Sequence, residues 1–414
     1  MRWNDVRPVV HNRALVLLVL GRSISWYGNA LAPMAIVFAI LDLGLPVGAV
    51  SIAVLARSVP QLLLVLIGGT LADRWRSRQL LVLGSAVAGA SQATMAVLLI
   101  SGHGGLLWVA GLSVINGVSA ALAGPAAGAL FRSLVAEPEW KAASILERTG
   151  QQLGLMLGLS TGGILIGWAG AGAAIAVDAL TFAVATGCFL IMRTPQSSQQ
   201  PPPRSMLSQL SEGFGYLRRR RWLIMINIQS LITAVAFAGG LQVLAAVVAD
   251  ASFGRAGLGL ASGCQTGGAV LGLVIAGALP AASRLGRPLL LGAVVALPLI
   301  TLAVGPWLLG NGPLVIVYVV AMLVTGAASG VAGIWKSVIV LGQVDQAMIG
   351  RVGSYGLLAS IGGLPLGEAL AAPLDASVGS TGGLLILAAI VVLVAIWAAL
   401  SPAVRKLGYE SSGS

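Results

Sequence analysis

The chain has 414 residues, of which 57% are hydrophobic and 9% charged, with a mean hydropathy of +0.95. Soluble domains carry about 25% charged residues, so this composition excludes an ordinary soluble domain and predicts an all-α integral membrane protein. The net charge of +11 does not indicate nucleic acid, because the basic residues lie in short loops between apolar segments rather than among aromatics on a polar face.

A helix of roughly 20 apolar residues crosses a hydrocarbon core of about 30 Å. Dividing the chain into such runs at charge, proline and glycine clusters predicts twelve helices. The first six cover 14–41, 47–72, 79–101, 106–132, 144–168 and 173–192. Arg13 ahead of an apolar run and Ala30-Leu31-Ala32 imitate a signal peptide, but Arg22 interrupts that run and apolar character resumes beyond it, so a retained first helix is expected. Residues 193–222, with their Gln/Ser/Pro tract and the run Arg218 to Arg221, are too polar to cross and read as a cytoplasmic linker. The second six helices cover 223–249, 257–280, 288–308, 314–338, 351–375 and 381–401. The expected organisation is an N-terminal six-helix bundle over 1–192, the linker, and a C-terminal six-helix bundle with a short tail over 223–414. Arg78-Gln-Leu-Leu-Val-Leu-Gly84 after the second helix and Arg287-Pro-Leu-Leu-Leu-Gly292 after the eighth form a weak internal repeat, as a two-bundle transporter would show.

Arginine and lysine placement sets the expected orientation. With a cytoplasmic amino terminus, the basic residues at 2, 7, 13, 74, 76, 78, 132, 141, 148, 193, 204, 218–221, 284, 287, 336, 351, 405 and 406 fall on or near the inner side. Arg255 alone is left for an outer loop, with Arg22 and Arg57 inside the membrane. Both termini are therefore expected in the cytoplasm, and the protein in the inner (plasma) membrane.

Between the second and third helices lies a tight basic turn, Gly68 to Arg78, reading Gly-Gly-Thr-Leu-Ala-Asp-Arg-Trp-Arg-Ser-Arg. Its Gly69, Asp73-Arg74 and Arg78 resemble the corresponding loop of major facilitator superfamily transporters. Arg57-Ser-Val-Pro60, Gly124-Pro-Ala126, Arg132-Ser-Leu-Val135 and Asp178-Ala-Leu-Thr-Phe182 extend the resemblance, which is nearest to the siderophore and macrolide exporter branch. Gly154, Gly158, Gly162 and Gly163 in the fifth helix are similar to the exporters' glycine motif, although Leu159 stands where the pattern has proline. The fourth helix lacks the arginine motif of drug/proton antiporters; Asn116 and Gly117 are its notable mid-helix features. The resemblance implies the major facilitator fold, alternating access, and a gating role for the turn, its acid meeting the start of the eleventh helix near Gly350-Arg351.

Ionisable groups inside a bilayer cost about 2.5–3.5 kcal/mol each on insertion scales, so each is expected to face a cavity or a partner. Arg22, Ser25, Trp26 and Asn29 share one face of the first helix, and Arg57 and Gln61 one face of the second. With Asn116 they are the expected lining of a substrate cavity, whose cationic character would suit anionic or strongly polar groups. Asp178 and Glu368 are the expected proton carriers. Glu368 is preferred because it follows Gly362-Gly363-x-Pro365-x-Gly367, where loosened backbone hydrogen bonds would admit water. Asp42, Asp250 and Asp375 sit at outer helix ends and are expected to be solvated. A structural ion pair competes for each buried charge, and simple close packing competes for the glycines.

His11 and His103 are isolated and Cys188 and Cys264 lie in apolar segments, so neither a metal cluster nor a disulfide framework is expected. With no nucleotide-binding loop and no paired carboxylates or nucleophile set, the expectation is a transporter without cofactors, not an enzyme. It is read as a monomeric secondary exporter in the lipid bilayer, driven by protons and expelling a small amphipathic molecule. An importer or lysolipid flippase of the same fold is the alternative.

Overall fold

The computed structural model describes residues 11–67, 77–136, 139–193, 214–279 and 284–405. The described residues form long helices, ten of which are long and apolar enough to cross a membrane. Helices suit a bilayer because each satisfies its backbone groups internally. They are α1 (Arg13–Asp42), α2 (Val47–Ile67), α3 (Ser77–Ile100), α4 (Leu106–Leu134), α5 (Trp140–Ile191), α6 (Arg221–Ala251), α7 (Gly254–Ala278), α8 (Gly286–Leu308), α9 (Asn311–Gln343) and α10 (Ile349–Leu400).

The difference from twelve expected helices lies in α5 and α10, each of 52 residues. Gly170 breaks α5 at φ 84° and Gly379 breaks α10 at φ 74°, in the left-handed region that glycine enters without steric cost. These breaks fall where the fifth and sixth, and the eleventh and twelfth, helices were expected to separate. A single left-handed residue is enough to redirect the chain at each of these gaps. The basic turn's Gly69, Asp73 and Arg74 lie outside the described residues, as does most of the expected linker. At the linker's far end helix begins earlier than expected, with α6 starting at Arg221 and Trp222 already buried.

The chain divides into two compact units, residues 1–45 with 52–205, and residues 46–51 with 206–414. In the first, a cluster including Leu15, Leu18, Leu80, Leu130, Phe131 and Phe189 joins the start of α1, the start of α3, and the ends of α4 and α5. Asn12 ties this end together: its side chain caps α1 by accepting from the Leu15 N–H at 3.2 Å and donates to the Leu134 carbonyl at 2.8 Å. Arg78 donates from Nε to the Phe189 carbonyl at 3.0 Å and from Nη2 to that of Leu190, placing a cation on the last carbonyls of α5 where the helix dipole favours it. The second unit has a similar cluster, with Leu217, Trp222, Leu285, Leu289, Ile339 and Val352. Its α6 contains a π-helical segment, Ala236–Leu244, rare in proteins and found mostly as single wide turns at functional positions.

Large apolar side chains cover the exterior, as a bilayer requires. Trp108, Trp168 and Trp307 are mostly exposed near helix ends, where indoles favour the membrane interface.

Candidate functional site

Six buried or half-buried polar residues from four helices meet in the first unit. Asp178, on the second arm of α5, has no exposed surface. Gln92 Nε2 of α3 donates to its Oδ2 at 2.5 Å, and Thr181, one turn on, lies with Oγ1 at 2.7 Å from the Asp178 carbonyl and 3.4 Å from Oδ1. The Arg57 guanidinium of α2 interacts electrostatically with the carboxylate. Arg57 also donates from Nη2 to Asn29 Oδ1 at 2.7 Å, and Asn29 Nδ2 donates to the Ser25 carbonyl at 2.9 Å within α1. Two glycines allow this approach. A Cβ on Gly28 would lie 2.2 Å from Asp178 Oδ1, and one on Gly117 would lie 2.2 Å from the Arg57 carbonyl oxygen. The α1 backbone thus presses on the carboxylate, and α4 on the backbone of Arg57.

Next to Gly117, Asn116 is 2% exposed and neither side-chain polar atom has a hydrogen-bond partner. Ser113, one turn earlier on the same face, is fully buried with an unpartnered Oγ, and Gln92 Oε1 is unpartnered too. Leaving a buried polar group unsatisfied costs about 1–3 kcal/mol, and such a concentration of them beside a buried carboxylate is uncommon outside working sites.

Arg22 is separate from this network. Its Nε lies 3.2 Å from Glu147 Oε1 at the start of α5, with both side chains about one-fifth exposed. Both arginines expected in the cavity therefore have an acidic neighbour, Glu147 beside Arg22 and Asp178 in electrostatic contact with Arg57. Trp26, Ser25 and Gln61 are half-buried. Among these, Trp26 packs beside Gly154. Asp250 is exposed, as expected, and also pairs with Arg255 at 2.8 Å.

The fifth-helix glycines form the seam between α5 and α1. A Cβ on Gly154 would lie 2.5 Å from the Ser23 carbonyl, one on Gly158 2.3 Å from that of Tyr27, and one on Gly162 2.7 Å from a Leu31 methyl. Gly163 is buried beside them. In the second unit, Glu368 is 6% exposed. The preceding Gly367 meets the π-helical segment so closely that its Cβ would fall 2.8 Å from the Gly239 nitrogen.

Sequence reasoning missed Glu147, Gln92 and Thr181 as partners, and the roles of Gly28 and Gly117. It also missed the α7/α9 crossing, where Gly268, Gly272, Gly326 and Gly330 each face a carbonyl across the seam. That four-residue spacing of glycines on both helices is a legible signal for close approach.

The Major Facilitator Superfamily model matches residues 18–363. The enterobactin exporter of Shigella boydii serotype 18 is 26% identical over 349 residues, covering 80% of this chain and 79% of that protein. That of Escherichia coli O139:H28 is 25% identical over the same length. Among solved structures, the nucleoside transporter NupG has a TM-score of 0.74 at 16% identity, covering 93% of this chain and 98% of its own. A bacterial homologue of the iron transporter ferroportin, in an inward-facing state, has a TM-score of 0.71 at 15% identity and covers 94% of this chain and 99% of its own. A family match across most of the sequence, joined to a likeness of fold over nearly all of the helices, establishes that the chain belongs to the Major Facilitator Superfamily of membrane transporters and is not an enzyme.

Proposed function

We propose that the chain is a proton-driven exporter of a small amphipathic molecule, of the siderophore or antibiotic class, working by alternating access. In this reading the arms of α5 and α10 each cross the membrane, giving twelve crossings in two six-helix bundles over 1–192 and 223–414, with both termini cytoplasmic in the inner membrane. One chain suffices as the transport unit. Export is favoured by the relatives that carry this name, since the fold alone is shared with transporters of other cargo.

The observation that carries coupling is the buried Asp178, held by Gln92 and facing Arg57. A coupled carrier needs a group that binds a proton in one half-cycle and releases it in the other. Neutralising Asp178 removes the charge that Arg57 faces, and Arg57 already has a second partner in Asn29 on another helix. The proton therefore alters which helices Arg57 ties together, giving the two states different contact energies. Glu368 is the second candidate, beside the π-helical segment, but Asp178 is preferred because the guanidinium it faces also holds Asn29 on another helix. The substrate lining comprises Arg22, Ser25, Trp26, Asn29, Arg57, Gln61 and Asn116, and the turn of Gly69, Asp73, Arg74 and Arg78 acts as the gate.

The test is uptake by everted and right-side-out vesicles over a panel of siderophores, macrolides and lysolipids, with an imposed pH gradient. Accumulation in everted vesicles that collapses with the gradient supports the reading. Accumulation only in right-side-out vesicles would make the chain an importer. Asp178→Asn is expected to lose uphill transport while retaining substrate exchange; loss through Glu368→Gln alone would move the coupling role to the second unit.

A further inference from the structure

The second unit carries a cavity of about 510 Å³ where the end of α7, the start of α8 and the middle of α9 converge. Its walls are apolar: Leu279, Leu290, Leu291 and Val331. Two residues of the lining are different in kind. Arg287 is exposed, and no ion-pair or hydrogen-bond partner holds its side chain among the described residues. Trp335 has an indole N–H that is buried without an acceptor. Leu279 and Leu290 are 46% and 47% exposed, and the open side continues along α8 through the exposed Leu297, Ile300 and Val304. That stripe is apolar and open, as a surface against hydrocarbon would be. Arg284, also exposed, adds a second positive charge in the same short segment.

We propose that this groove binds an anionic phospholipid, its phosphate at Arg287 and one acyl chain against Leu279, Leu290, Leu291 and Val331. The apolar walls match a chain already dissolved in the bilayer, so its entry sacrifices no aqueous solvation. The positive end matches an anionic headgroup, since basic residues near a membrane surface attract anionic lipid and basic clefts between membrane helices take such headgroups. An oxygen of the phosphate or ester gives the Trp335 N–H the acceptor it lacks, which suits the interfacial position indoles favour. The volume falls within the range of about 300–1,000 Å³ usual for small-molecule sites. In the orientation proposed above, the leaflet concerned is the cytoplasmic one; the groove and its ligand do not depend on export, import or proton coupling.

The test is native mass spectrometry of the full chain delipidated in mild detergent and offered equal amounts of phosphatidylglycerol and phosphatidylcholine. The parent is expected to retain one phosphatidylglycerol in preference to phosphatidylcholine. Arg287→Gln should lose that preference about fivefold, the effect of one basic residue near an anionic surface. Arg287→Lys should keep most of it, which separates lost charge from misfolding, and Arg13→Gln, in the other unit, should change nothing. Trp335→Phe should weaken retention of either lipid. Equal retention of both lipids by the parent, or an undiminished preference in Arg287→Gln, would overturn the proposal. So would a dimer of the chain that Arg287→Gln dissociates, because it would place a second copy on the groove.

Discussion

Replacing Gly28 by alanine disturbs the carboxylate site without removing any ionisable group. The new Cβ would stand 2.0 Å from Thr181 Oγ1 and 2.2 Å from Asp178 Oδ1, against the 3.0 Å that real Cβ contacts respect, so these atoms must withdraw by roughly 1 Å. Asp178 has no exposed surface into which to turn, and its 2.5 Å bond from Gln92 cannot survive such a displacement intact. A hydrogen bond to a charged group contributes about 1.5–3 kcal/mol, whereas alanine in place of glycine in a helix returns at most about 1 kcal/mol. The net loss is on the order of 0.5–2 kcal/mol. Gly187→Ala is the control, in the same arm of α5 as Asp178 but with nothing within 4 Å of its Cβ, and should be neutral or slightly stabilising. Both variants would be reconstituted and compared in thermal inactivation and in uphill transport under a pH gradient. The expected result is that Gly28→Ala melts lower and transports poorly while Gly187→Ala matches the parent. Equal behaviour would refute the claim that α1 presses on the acid.

Other variants probe the remaining contacts. Arg22→Gln strands Glu147 and should destabilise by roughly 1–3 kcal/mol, between the limits for surface and buried pairs; adding Glu147→Gln should recover part of this in a double-mutant cycle, and no recovery would mean the pair is unimportant. Asn116→Leu removes two unpartnered buried polar atoms, so thermal stability should hold or rise while transport falls, and a loss of stability would show that Asn116 is structural. Gly158→Ala drives a Cβ to 2.3 Å from the Tyr27 carbonyl, and because backbone cannot swing aside it should cost about 1–3 kcal/mol in thermal inactivation; an unchanged midpoint would show that the seam yields.

The fold was largely legible because a bilayer imposes length and polarity on each helix separately, and both are local properties of sequence. What was not legible follows from the same locality. Helical spacing groups Arg22 with Asn29 on one face, yet it carries no information about which helix opposes that face. The contact between Gln92 and Asp178 spans 86 residues, and that between Arg57 and Asn29 spans 28. The cost of burying a charge reveals that a partner must exist, and composition limits the choice to few acids, but only packing selects Glu147 for Arg22 and Asp178 for Arg57. Glycines lie between these cases. Their four-residue spacing in α5 announces a close approach, while the identity of the approaching helix, α1, emerges only in the fold.

The breaks at Gly170 and Gly379 fall in gaps that the sequence marks, although spacing does not name the residue that turns left-handed. The π-helical segment escaped for a different reason. In α6, Gly239 and Gly240 fall inside the π-helical segment, and a Cβ on Gly239 would come within 2.5 Å of the Gly367 carbonyl, one residue from Glu368. A wide turn shifts the register of every residue beyond it by about one position relative to an α-helix, so the face that α6 presents to α10 cannot be read at a period of 3.6. That displaced register sets what surrounds Glu368, and spacing alone could not have ranked it against Asp178. The ranking turns instead on contacts: the acid whose cationic partner already holds a second helix can convert a proton into a change of packing.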